Sequence, residues 1–442
     1  MPATLAHNSG MGGAHIALMP DSTMPIFINT GNPAAYSLIR MTSLEVGGRY
    51  IYSKFSSTGK PVQKWGANFA YGALGFPIGS KGGACLGIMP YTTVGYDAES
   101  VEKDPATGDI TYKYRGSGGL NRAFIGYGVA PFNRSLSRYR RQHLNTGDSS
   151  HMLTHGAYMR GEFARKVLSD LSVGFNVNYI FGNILNATRV QYPNSLLYNN
   201  TYRERDLTLG DFGGNAGIQT AISFDSVRTG NGKRRALREK VKLTMGCFVG
   251  MATTLKGSYN SVSYNYILTG LGEEVVRDTV FYNVNQKTYI TLPLEQGFGL
   301  GFKKGQRISL AADFAITGWK SFKYLGVPAG LENNYRTSIG VNYVPEKYAA
   351  GRGAFFKRVN YRAGVSYNTG FVSVRGHLVP GYLFSAGVGL PVGIGRLSSM
   401  INISAQYGVN GTTANRMIRE DFWRINFGFT FTDRWFQKFR YD

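Results

Sequence analysis

The chain has 442 residues, with 58 Gly, 29 Tyr and 27 Phe, a mean hydropathy of −0.19 and a net charge of +23. Many aromatics without a hydrophobic average place apolar residues at alternate positions, and no window approaches the ~18 apolar residues of a membrane-spanning helix. A helical membrane protein is thereby excluded, whereas a β-barrel, which hides its membrane address in alternation, is not.

In chain order, residues 1–42 do not alternate. They are too apolar for a disordered tail and too often punctuated by Gly and Pro for a helix, so they are expected to pack inside a barrel as a plug, an N-terminal hatch. Alternating segments then recur: 45–52, 68–76, 84–96 (interrupted by Pro90), 121–130, 155–165, 171–183, 212–224, 239–255, 287–302, 306–318, 335–345, 359–368, 381–390, 398–408 and 422–432. Bacterial single-chain barrels use even strand numbers. The expectation is an all-β, transmembrane antiparallel barrel of about 14 strands over residues 43–436, followed by a C-terminal tail, 437–442. Residues 184–211 and 257–285, rich in Asn, Tyr, Ser and Thr, read as long extracellular loops.

The closing segment is the clearest. From Trp423 to Thr432, one face is Trp, Ile and Phe and the other Arg, Asn, Gly and Thr; about ten such residues cross a bilayer when tilted. This strand is expected to pair with the first near residues 45–55. The basic charge gathers in 134–141, 233–240 and 352–358, each placed in a loop or turn. Anionic headgroups beside a membrane, lipid or lipopolysaccharide, account for it more simply than nucleic acid.

Several segments resemble, in order, the FadL-type (FadL/TodX) outer-membrane transport family. Gly10, Gly12 and Gly13 with Asn32-Pro33-Ala34 resemble its N-terminal hatch. Leu292-Pro293-Leu294 through Phe302, Ala312-Asp313-Phe314 through Phe322, Tyr335–Tyr343 and Arg362–Tyr367 resemble successive family strands. The close, from Gly387 through Ile401-Asn402-Ile403 to Asp433-Arg434-Trp435-Phe436, resembles the branch found in Bacteroidetes. Some members of that branch are accessory subunits of the type 9 secretion system. The resemblance implies a barrel in the bacterial outer membrane, its signal peptide removed from this chain.

Two places carry the functional question. Asn32 before Pro33 is pushed to an extended or turn conformation and can satisfy nearby backbone groups; the hatch is then either a mobile plug or a rigid one. Pro90, between Met89 and Tyr91, removes a ladder donor. It marks either a harmless bulge above the membrane or, as the resemblance implies, a kink opening the wall sideways to lipid. Cys85 and Cys247 lack any CxxC spacing, and two buried free thiols are expected rather than a disulfide. The histidines, His7, His15, His143, His151, His155 and His377, sit in no nucleophile or metal motif, and no phosphate or dinucleotide fingerprint is present. The expectation is a non-enzyme without cofactor or metal. It is either a passive channel for hydrophobic small molecules such as long-chain fatty acids, or a non-transporting plug or shuttle of a protein-export machine.

Overall fold

Alternation becomes structure strand by strand. The computed structural model describes residues 5–20, 27–132, 167–193, 198–224, 241–392 and 399–433, apart from positions 58, 60, 106, 169, 270, 352, 415 and 416. Its strands are β1 (Thr42–Ser56), β2 (Val62–Ile78), β3 (Gly82–Asp104), β4 (Gly108–Val129), β5 (Ser172–Gln191), β6 (Asn200–Phe224), β7 (Val241–Gly250), β8 (Thr253–Leu268), β9 (Glu274–Leu292) and β10 (Glu295–Lys304). There follow β11 (Ile308–Thr317), β12 (Lys323–Tyr324), β13 (Val327–Pro328), β14 (Asn334–Tyr343), β15 (Asn360–Asn368), β16 (Ser373–Val374), β17 (His377–Leu378), β18 (Gly381–Val392), β19 (Ser399–Asn410) and β20 (Arg419–Asp433).

Neighbours pair antiparallel around a closed wall. β7 and β8 lie end to end along β6, and β9 and β10 lie end to end beside them. Pro293, which cannot donate to a ladder, stands at the second of these breaks. Counting each interrupted pair as one strand and setting aside the two-residue hairpins, 14 strands form the barrel. Closure is by β20 on β1, in unbroken register from Thr42↔Asp433 to Ser56↔Arg419.

The two faces differ as a membrane requires. Trp423, Phe427 and Phe429 of β20 are exposed, as are Val365 and Tyr367 of β15, while Asn426, Thr430, Ser338 and Arg362 are buried inside. A closed wall satisfies every ladder in hydrocarbon, and its apolar outer belt needs lipid.

The wall has unequal heights. β11 and β14 have 10 residues each, enough at ~3.3 Å per residue and a tilt of ~40° to cross a bilayer. β3, β4, β5 and β6 have 23, 22, 20 and 25 residues and project beyond it as one sheet with β8 and β9. The stretches 184–211 and 257–285, expected as loops, are mostly this projection: β5 and β6 stay in register from Ser172↔Gln219 to Val190↔Thr201. Above the membrane both faces of a sheet meet water, so the ladder continues while the apolar alternation fades. The segment 155–165 and the tail 437–442 lie outside the described residues.

Candidate functional site: a luminal plug and a break in strand pairing

Residues 5–20 and 27–41 lie inside the barrel, nearly all buried. Their own backbone has few partners, since a four-residue helix (Ala6–Ser9) and a 3-10 turn (Pro33–Leu38) are the only regular pieces among the described residues. Polar side chains on the inner wall supply the rest, as buried N–H and C=O groups require. Asp313 accepts from the amides of His15 (2.6 Å) and Ile16 (2.8 Å). Ser385 accepts from Gly12 N at 2.8 Å and stands 3.2 Å from the carbonyl of Gly10. Gln406 donates to the Ser9 carbonyl and Gln219 to that of Ile16. Glu45 takes the amide of Ile28 on one oxygen (2.9 Å) and the Tyr71 hydroxyl on the other, and Tyr71 in turn accepts from Ala6 N.

Asn32, Pro33 and Ala34 are brought together as a cap. Asn32 is extended (φ −136°, ψ 108°), and its Oδ1 accepts from Ala34 N at 3.2 Å. Its amide Nδ2 donates to the carbonyls of Ile16 (2.8 Å) and of Cys247 on the wall (3.3 Å). Pro33, at the first turn position, gives up an N–H that would have no partner.

Wall glycines let this backbone lie directly on the sheet. Gly340 pairs with Gly364 across β14 and β15, and a Cβ on either would strike Met11. Gly128, Gly174 and Gly217 are register partners across β4, β5 and β6, where a Cβ would strike Pro33 or, at Gly217, Asn32. Within the plug, Gly12 has φ +68° and faces Val365 backbone, a position closed to a side chain on both counts. Gly10 touches Gly387, and Gly13 (φ +82°) lets its carbonyl meet the His15 ring at 2.7 Å. His7, its ring tilted against Phe27 with centroids 3.8 Å apart, is held neutral: burial first, then nearby Arg362, push its pKa well below the usual imidazole value.

Higher in the lumen the wall changes character. Leu120, Ile180, Leu207, Leu209, Leu255 and Ile290, on five neighbouring strands, form a buried apolar face. Phe322, Tyr324 and Leu325, from the segment after β11, pack onto it, and β12 is tied to β9 at Lys323↔Thr291.

Met89, Pro90 and Tyr91 stand beside this face. The β2–β3 ladder runs from Ile78↔Gly82 only as far as Gly72↔Ile88. Beyond it β2 (62–71) pairs with β1 alone and β3 (89–104) with β4 alone. β3 itself continues past Pro90, with a register shift at Tyr91 against β4. The expected interruption within the third strand is thus a parting of the second from the third, next to Pro90, which has no N–H to offer a ladder. Met89 is buried at the foot of the gap, its sulfur 2.9 Å from an Arg122 nitrogen, and Tyr91 packs against the apolar face.

Other candidates are not gathered here. His15 is in the plug and His377 on a short exposed hairpin; His143, His151 and His155 lie outside the described residues, as do 134–141 and 233–240. Both thiols are free, but only Cys85 is buried. Cys247 faces outward on β7, because a strand turns alternate side chains to lipid. Among the described residues, no three His, Cys, Asp or Glu side chains converge as a metal site would need.

A family model described as BamG matches residues 2–137 and 157–442. The chain belongs to the BamG family. No curated protein matches its sequence. Among solved structures it is similar to the Pseudomonas putida toluene transporter TodX (13% identity, 99% of each chain, TM-score 0.55). It is also similar to a Pseudomonas aeruginosa FadL homologue (14% identity, 98% of this chain and 97% of the other, TM-score 0.51) and to the monoaromatic hydrocarbon channel CymD (11%, 98% of each, TM-score 0.52). At such identities the likeness concerns the fold: a FadL-type barrel of the bacterial outer membrane, in keeping with the lipid-facing belt.

Proposed function

We propose that this barrel is a passive channel for hydrophobic small molecules, released sideways into the bilayer. The observation that carries this reading is the early end of the β2–β3 ladder beside an apolar luminal face. A greasy ligand resting on Leu120, Ile180 and Leu207 would leave past Met89, Pro90 and Tyr91 without crossing the polar plug beneath. Gly10, Gly12, Gly13, Asn32, Pro33 and Ala34 act as the hatch that keeps water and ions from following. The solved structures of similar fold include a toluene transporter and a monoaromatic hydrocarbon channel, which supports an apolar cargo, long-chain fatty acid or similar. Membrane lipid and lipopolysaccharide are the surroundings, and no catalytic step is needed.

The test is to close the gap. With Cys247→Ser as background, Ala70→Cys and Pro90→Cys are joined by a short reducible thiol cross-linker, and uptake of a fluorescent long-chain fatty acid into proteoliposomes is followed. Joining should lower uptake to the protein-free level and reduction should restore it; unchanged uptake overturns the lateral route.

A second reading rests on the tightness of the plug and on Phe322, Tyr324 and Leu325 packing onto the apolar face above it. On that reading the barrel is a non-transporting subunit of a protein-export assembly, such as type 9 secretion. It predicts no fatty-acid uptake in either cross-linking state and a stoichiometric protein partner after gentle purification.

A further inference from the structure

The two ends of the barrel carry very different charge. Segments joining strands at the end where β1 begins and β20 finishes, with the residues after β20, hold 23 Lys and Arg against 7 Asp and Glu; those at the opposite end hold 5 against 2. The projecting sheet lies at the latter end, and outer-membrane barrels extend on their external side, so the basic end faces inward to the periplasm. All three basic clusters of the sequence fall in segments that join strands at this end.

One basic segment at this end, 344–359 between β14 and β15, is described except for position 352. It folds onto the outside of the wall. Tyr361, lipid-facing on β15 and register partner of exposed Tyr343, donates its hydroxyl to the carbonyl of Phe356 at 3.2 Å. The short helix Ala354–Arg358 thus presents Phe355 (41% exposed) and Phe356 (70%) at the edge of the apolar belt. Lys357 and Arg358 follow directly, and Lys347 stands 5.8 Å from the ring of exposed Tyr348. The acid in the segment, Glu346, lies 3.6 Å from Lys357, whose side chain is still 61% exposed.

We propose that this rim binds the headgroups of anionic glycerophospholipids in the periplasm-facing leaflet. Phe355 and Phe356 enter among the upper acyl chains, where interfacial aromatics settle. Lys347, Lys357 and Arg358 meet phosphate oxygens, with the Arg guanidinium able to take two at once. Charge complementarity selects an anion, and the flanking aromatics at the hydrocarbon edge select a lipid over an acidic soluble protein. The proposal is independent of cargo transport and stands whichever reading of the lumen holds.

The test uses the full chain in nanodiscs of phosphatidylcholine, with or without phosphatidylglycerol, read by retained lipid in native mass spectrometry and by thermal midpoint. Phosphatidylglycerol should be retained preferentially and raise the midpoint, both effects weakening with salt. The triple variant Lys347→Gln, Lys357→Gln, Arg358→Gln should lose the preference. Lys347→Arg with Lys357→Arg should keep it, as should Lys256→Gln with Lys287→Gln in the projecting sheet. Equal retention of the two lipids, or an undiminished preference in the triple variant, overturns the proposal. Binding of soluble polyglutamate at this rim without any phosphatidylglycerol preference overturns it in favour of an acidic protein.

Discussion

The short and tall sides of this barrel present different inner walls. On the short side, β11, β14, β15, β18, β19 and β20 turn Asp313, Ser338, Arg362, Ser385, Gln406 and Asn426 inward. On the tall side, β4, β5, β6, β8 and β9 turn Leu and Ile inward above a lower tier of glycine and asparagine. The difference follows from what each must hold. A plug with little secondary structure needs side chains that answer its bare amides and carbonyls, and one strand crossing is enough height to supply them. An apolar surface screened from water needs depth, and the projecting strands with the segment after β11 provide it. The parting of β2 from β3 falls where the wall begins to rise.

The sharpest way to break this contrast is Asp313→Ala. It removes one carboxylate oxygen that serves two buried amides, and hydrogen bonds to charged groups contribute ~1.5–3 kcal/mol each. A loss of about 3 kcal/mol is expected, with hydrogen exchange rising at residues 13–18 and fatty-acid binding kept; unchanged protection there would mean the plug is held by other contacts. Gly364→Val presses a side chain into Met11, and overpacking of this kind costs about 2 kcal/mol. Its mark should be a lower melting midpoint and raised ion conductance, as the plug is lifted from β15. On the tall side, Leu207→Asn should leave conductance alone and weaken binding of an apolar ligand about tenfold, equivalent to ~1.4 kcal/mol. Equal effects of Leu207→Asn and Gly364→Val on conductance would dissolve the distinction between the two sides.

The smallest effect is a pH dependence. His7 is neutral in the plug with its pKa depressed by burial and Arg362, while in the unfolded chain it titrates near 6.5. Only the unfolded state gains a proton as the pH falls below that value, so stability is full above ~6.5 and declines below it, by at most ~1.4 kcal/mol per pH unit. Chemical denaturation of wild type and His7→Asn between neutral pH and pH 6 measures it, and parallel curves would remove His7 as the cause.

Much of the barrel was legible because alternation is local. Trp423 to Phe431 announces a lipid face by itself, and the pairing of that strand with the first, near residues 45–55, follows once a closed wall is assumed; the observed register spans 42–56. The extensions of β5, β6, β8 and β9 were not legible, because strands wetted over much of both faces share their composition with loops. Pro90 marked a place where strand pairing is interrupted but not its form: proline signals a missing donor, and only the ladder tells which neighbour is lost. Asp313 stood in a strand whose Ala-Asp-Phe pattern drew notice, yet nothing nearby in sequence identifies the amides of His15 and Ile16, almost 300 residues away, as its partners. Cys247 looked like a buried thiol and is an outward one, because which parity faces lipid depends on register.

By itself the sequence determined the class of wall, its closing strand, the glycine-rich plug segment and the residue at which a ladder donor is missing, since period-two patterning and the missing N–H of proline act over a few residues. Tertiary structure alone decided which end carries the basic charge, which wall glycines admit the plug backbone, and where β2 parts from β3. These depend on contacts between strands far apart in the chain, whose register a local pattern does not encode.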